Sequence, residues 1–169
     1  MQQLICRGAQ GEIPGISPLL APLLIARGAD TYEKAQAFLH PSEGDLNDPF
    51  LMPDMRAACD MVRAAIARRT PIAVYGDYDC DGITSTVLLY RYLEEQGANV
   101  GYYIPDREQE GYGLNTEAID FLHNVRGIGL IITEDNGVSA HEEIAHANSL
   151  GIDVVVTDHH QPRETLPDA

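Results

Sequence analysis

The sequence predicts an α/β domain with a doubly wound, mainly parallel sheet and helices on both faces, preceded by a short helical N-terminal region. Three observations carry this. From residue 71 onward, short β-branched runs alternate with helical stretches; the runs are apolar at nearly every position; and acidic residues stand directly after several of them. Strands this apolar are buried on both faces, which calls for a parallel sheet covered by helices joined through right-handed crossovers.

In order along the chain, residues 1–30 are rich in Gly, Pro and short apolar runs and read as an irregular arm with one helical turn near Pro18–Ile25. Thr31 to His40 predicts a short helix capped by Asp30 or Thr31, and Pro41–Pro53 predicts a loop from its Pro, Asp, Asn and Gly content. Met55, Ala58, Val62, Ala65 and Ile66 recur at helical spacing, so Asp54 to Arg69 predicts an amphipathic helix. Strands follow at 71–75, 98–104, 127–133 and 152–157, with helices near 83–96, 116–125 and 138–150. The expected organisation is therefore an N-terminal arm with helices over 1–70 and a catalytic α/β domain over 71–169.

At 169 residues, with 44% hydrophobic and 22% charged side chains, the chain suits one ordinary globular domain. Its longest apolar stretch, SPLLAPLLIA, is broken by prolines and falls far short of the roughly 18–20 residues of a membrane span. No cationic segment leads into an apolar run at the start, so a soluble cytoplasmic protein with no membrane partner is expected. Cys6, Cys59 and Cys80 are widely spaced and give neither a disulfide framework nor a thiolate metal site. The net charge of −15 opposes a nucleic-acid partner, because phosphate binding normally leaves a basic footprint. Two routes around this are neutralisation of clustered carboxylates by divalent cations and a DNA-gripping surface outside these residues.

In open α/β sheets ligands bind beyond the carboxyl ends of the strands. There the sequence places Asp77, Asp79 and Asp81 after the first strand, Glu134 and Asp135 after the third, and Asp158, His159 and His160 after the fourth. Carboxylates so crowded raise one another's pKa unless cations share the site. Mixed oxygen and imidazole donors suit Mn²⁺ best, with Mg²⁺ where oxygens dominate. Two such ions roughly 3.5–4 Å apart clamp the attacking and leaving oxygens in phosphoryl transfer. Blander readings account for less. An EF-hand loop needs Glu at its twelfth position, where this chain has Leu88; Asp81 or Thr84 capping the following helix accounts for the first cluster only.

YGDYDCDGITST (75–86), TEDNGVSA (133–140) and VVVTDHHQP (154–162) together resemble, in order, the first three motifs of the Asp-His-His (DHH) phosphoesterases. DNG in the second motif, and PDREQEGYGL at 105–114, resemble the branch of that family that degrades single-stranded DNA from 5′ to 3′. ISPLLAPLLIARGADTYEKAQAFLHPS is similar to the segment ahead of the catalytic sheet in that branch. The resemblance implies a metal-dependent exonuclease of DNA repair and recombination with two divalent ions, and single-stranded DNA and repair factors such as a single-strand-binding protein as partners. It implies Asp79 and Asp81 as metal ligands, Asp77 as ligand or neighbour, Asp135 bridging the ions and His159 on the second. His160 is implied in orienting phosphate or assisting proton transfer, with Asp158 holding an imidazole. Arg107 is the implied phosphate contact, its alternative being an ion pair with Glu108 or Glu110. Gly111, Tyr112 and Gly113 are implied near the substrate, where the glycines admit close backbone approach or simply make a turn. Glu134 stands where the family more often has an apolar residue, and a solvent-facing side chain is expected of it. The family's fourth motif and DNA-gripping domains are not in this sequence, which therefore reads as a fragment with weak or no activity alone. Two other readings remain: hydrolysis of short oligonucleotides or cyclic dinucleotides, and a non-catalytic nucleotide-binding or interaction domain.

Overall fold

A computed structural model describes residues 11–169, so Cys6 lies outside the described residues. The chain divides between Leu51 and Met52 into two compact units.

The smaller unit holds α1 (Ala21–Ile25) and α2 (Tyr32–Leu39). Thr31 caps α2, its hydroxyl accepting the Lys34 amide at 3.3 Å, and Ala35 packs with Ile13, Ala21, Leu24 and Ala29 in a small core. The stretch expected as pure loop contains two 3-10 turns, Glu43–Asp45 and Pro49–Leu51. The Asp45 carboxylate closes the first by accepting the Ser42 amide and hydroxyl.

The larger unit runs α3 (Met55–Arg68), β1 (Ile72–Gly76), α4 (Cys80–Glu95), β2 (Val100–Tyr103), α5 (Thr116–Arg126), β3 (Leu130–Glu134), α6 (His141–Ser149) and β4 (Asp153–Thr157). The helix expected at the end of the N-terminal arm thus belongs with the sheet. All pairings are parallel, in the order β2-β1-β3-β4. Side-chain alternation divides the core. Ile72, Val74, Leu130 and Ile132 pack with Ala65 of α3 and Leu93 of α4, whereas Ala73, Tyr75 and Ile131 pack with Ile119 and Leu122 of α5 and Ile144 of α6. The two central strands, β1 and β3, therefore bury both faces, which is why β1 shows no polar alternate, whereas the edge strand β2 leaves Tyr102 exposed.

The order 2-1-3-4 reverses the direction of winding between β1 and β3. Loops leaving these neighbouring strands part to opposite faces and open a crevice at their carboxyl ends. Everything after Gly76 and Glu134 is delivered there. Among the described residues no helix is long and apolar enough to cross a membrane.

The start of α4 is pressed against the end of β1. A Cβ on Gly82 would stand 2.6 Å from the backbone N and O of Asp77, closer than backbone atoms tolerate. Gly82→Ala is expected to destabilise the chain by about 1–3 kcal/mol, the usual cost of overpacking, measured as a lower urea midpoint with an unchanged slope.

Candidate metal centre

Asp77 follows β1 and is buried, with Oδ1 lacking a hydrogen-bond partner. Asp79 is the N-cap of α4; its Oδ1 accepts the Asp81 and Gly82 amides at 2.9 and 3.0 Å. The helix thus starts three residues earlier than expected, and its cap is Asp79 rather than Asp81 or Thr84. Asp135 follows β3 with φ 64, a left-handed conformation that Asp tolerates better than most residues. Ligand atoms of Asp77, Asp79 and Asp135 lie within 4.8 Å of one another, and so do those of Asp135, His159 and His160. Asp135 belongs to both groupings. Asp81, expected as a ligand, lies outside them: it sits exposed in the first turn of α4, beyond the capping turn that brings Asp79 to the crevice.

The electrostatics fit cations. Burial, then the nearby Asp79 carboxylate, pushes the Asp135 carboxyl above the usual range, against the pull of His159 and His160. The His159 Nε2 stands 2.9 Å from Asp135 Oδ1, yet that oxygen has no aligned hydrogen bond. That spacing is one an ion pair takes, and it is also close enough for both atoms to face one cation. Two buried carboxylate oxygens without hydrogen-bond donors, on Asp77 and Asp135, suit a cation as their partner.

Asp158 and His160 form a separate device. The His160 Nδ1 is 2.7 Å from Asp158 Oδ1, and Asp158 also accepts the Val138 and His160 amides at 3.0 Å. Burial works to raise Asp158, but these hydrogen bonds outweigh it and hold the carboxyl below its ordinary value. The bond to Asp158 in turn raises His160. An ionised carboxylate on Nδ1 fixes the ring and directs Nε2 outward.

Two supports were not legible as functional residues. Asn136 is fully buried, and its Nδ2 donates to the carbonyls of Tyr75 (3.3 Å) and Glu134 (2.9 Å). It ties the ends of β1 and β3 together directly beneath Asp77 and Asp135. Glu110 anchors the loop after β2: its carboxylate accepts the Tyr103 hydroxyl at 2.6 Å, the Asn115 amide at 3.2 Å and the Asp106 amide at 2.8 Å. Asn115 also caps α5 and donates to Tyr75 Oη, which itself donates to the Gly113 carbonyl. The signal available in the sequence was a Glu and an Asn bracketing GYG; nothing in it names their tyrosine partners.

This anchoring places the remaining residues. Arg107 pairs with neither Glu108 nor Glu110; its guanidinium lies 5.3 Å from the Tyr78 ring centroid, a cation–π contact. Tyr112 donates to the Asp135 carbonyl at 3.0 Å and lies 3.3 Å from His160 Nδ1. Burial, then the carboxylates around it, pushes its hydroxyl up to about 12. Gly111 and Gly113 both have φ 81 with open space where a Cβ would stand, so backbone conformation alone accounts for glycine there. Glu134 does not face solvent freely. Its side chain is half-buried and raised by burial, against hydrogen bonding to Thr157 and Ser85, because the last position of β3 points toward α4.

Residues 71–169 match the family model described as DHH family, N-terminal domain. The chain belongs to the DHH family. Among curated members it is 48% identical over 153 residues to the single-stranded-DNA-specific exonuclease RecJ of Bacillus subtilis (strain 168), covering 90% of this chain and 19% of that protein. To RecJ of Escherichia coli (strain K12) it is 41% identical over 160 residues, covering 94% and 26%. The DHH chain therefore spans about a fifth to a quarter of the length of these relatives. Of solved structures, exonuclease RecJ bound to manganese superposes with a TM-score of 0.63 at 38% identity, over 69% of this chain and 30% of that one. RecJ from Thermus thermophilus in complex with Mn²⁺ gives 0.60 at 30% identity, over 92% and 23%. These likenesses bear out the parallel α/β fold and the DHH resemblance.

Glu110 titrates below its ordinary range: its hydrogen bonds outweigh the opposing effect of burial. A depressed carboxylate stabilises the fold above its unfolded-state pKa of about 4.3 and loses that contribution as pH falls through the lower folded value. Glu110→Gln is expected to flatten this part of the acid limb when thermal midpoints are compared between about pH 5 and pH 3; an unchanged pH dependence counts against the anchoring role.

Proposed function

We propose that the crevice binds two divalent cations, Mn²⁺ by preference and Mg²⁺ as a substitute, and that it serves hydrolysis of phosphodiester bonds in single-stranded DNA from the 5′ end. The observation that carries this is the position of Asp135 in two groupings of ligand atoms that share no other member. In this reading Asp77, Asp79 and Asp135 hold one ion, and Asp135 and His159 the other, with His160 nearby. The manganese-bound RecJ structures support the choice of metal, and the RecJ relatives support the substrate and a place in DNA repair and recombination.

Divalent ions held there supply Lewis acidity and neutralise charge that develops on a phosphoryl group. The chain's own side chains do the rest. Arg107, braced on Tyr78, offers a planar fork to phosphate oxygens. His160, fixed through Nδ1 by Asp158, presents Nε2 to contact a phosphate oxygen or carry a proton to the leaving oxygen. Asn136 keeps the two strand ends at the separation the carboxylates need.

Calorimetric titration with Mn²⁺ tests the centre: binding by the unaltered chain, and at least a tenfold loss in Asp135→Ala and Asp79→Ala, is the expected pattern. Undiminished binding in both variants removes the metal reading. Competition between a 5′-phosphorylated oligothymidylate and a cyclic dinucleotide for the Mn²⁺-loaded chain tests the substrate; preference for the cyclic compound moves the assignment to the small-nucleotide branch.

A further inference from the structure

Beside the carboxylate cluster lies a cleft of about 420 Å³ whose lining includes Tyr112, Leu114, Val138, Arg163, Asp158 and His160. That volume falls in the range of small-ligand pockets, and the shared Asp158 and His160 make it continuous with the centre described above. Its walls set apolar and aromatic side chains beside Asp158, His160, Glu143 and Arg163. Leu114 is buried, Val138 half-buried, and Tyr112 is 53% exposed.

Tyr112 is held from two directions although its ring is open to solvent. The hydroxyl is tied to the Asp135 carbonyl and lies against His160. The ring meets Tyr78 edge-on, with centroids 6.4 Å apart and planes at 81°, and Arg107 covers Tyr78 at 5.3 Å. An exposed aromatic whose rotamer is fixed loses little conformational entropy when a flat ligand packs on it. Every nucleobase has such a flat face, and one stacked on an aromatic side chain gains affinity without sequence preference.

We infer that Tyr112 and the cleft form a nucleobase subsite, which receives the unpaired base of the nucleotide whose phosphate meets the carboxylate cluster. Tyr78, weighted by Arg107, is its buttress. The inference rests on the phosphoester reading and deepens it: a base within a duplex has both faces covered by its neighbours, so a subsite of this kind favours single strands.

Calorimetry on the Mn²⁺-loaded chain with thymidine 5′-monophosphate and with 2-deoxyribose 5-phosphate, which lacks only the base, tests this. The nucleotide is expected to bind about tenfold more tightly, equivalent to about 1.4 kcal/mol. Tyr112→Leu should erase that preference, and Tyr112→Phe should retain most of it, since the ring, still edge-on to Tyr78, does the stacking. Equal affinities in the unaltered chain, or a preference that survives Tyr112→Leu, overturns the subsite and leaves the phosphoester reading intact. If the chain binds Mn²⁺ but neither phosphate compound, the phosphoester reading fails and the subsite falls with it.

Discussion

Like-charge crowding at the carboxyl end of a parallel sheet is the constraint around which this domain is arranged. Asp77, Asp79 and Asp135 meet within 4.8 Å, and two of their oxygens are buried without donors. No arrangement of neutral side chains relieves such a repulsion as well as a cation does. The fold tolerates it because rigid elements impose it. Asp77 leaves a strand buried along its whole length, Asp79 is fixed by capping α4, and Asp135 sits in a left-handed turn tied to β1 through the next residue.

The polar groups beneath the centre explain how that geometry is kept. Asn136 joins two strand-end carbonyls, and Thr133 donates to the Asn136 carbonyl at 2.7 Å, so the second-motif turn is closed from inside. On the neighbouring side, Tyr75, Tyr103, Glu110 and Asn115 make a connected network under the loop that carries Arg107 and Tyr112. Partly buried networks of this kind hold their members in one arrangement. Here they translate a packed core into the positions of exposed side chains.

The acidity of the chain takes on a different meaning beside this geometry. Part of the −15 net charge is concentrated where cations are expected to neutralise it, and the residues suited to phosphate and base at its edge, Arg107 and Tyr112, are few. Recognition through a local cation–aromatic edge needs less basic surface than recognition along an extended groove.

Periodicity and apolar runs determined the parallel sheet, the helix count of the larger unit and the strand ends at which chemistry would stand, because burial on both faces leaves a continuous apolar signature in the central strands β1 and β3. The motifs also pointed to the family and to acidic and imidazole residues at the strand ends as candidates for its site. Tertiary structure alone decided which of them meet. It left Asp81 on the first turn of α4, gave Asp135 to both groupings and drew Arg107 onto Tyr78 instead of Glu110. It also turned Glu134 inward, placed α3 with the sheet, and recruited Asn136 and Glu110 as supports. The physical reason is that these outcomes depend on strand order and on hydrogen bonds spanning up to 61 residues, and no local pattern in a sequence encodes the partner at the far end.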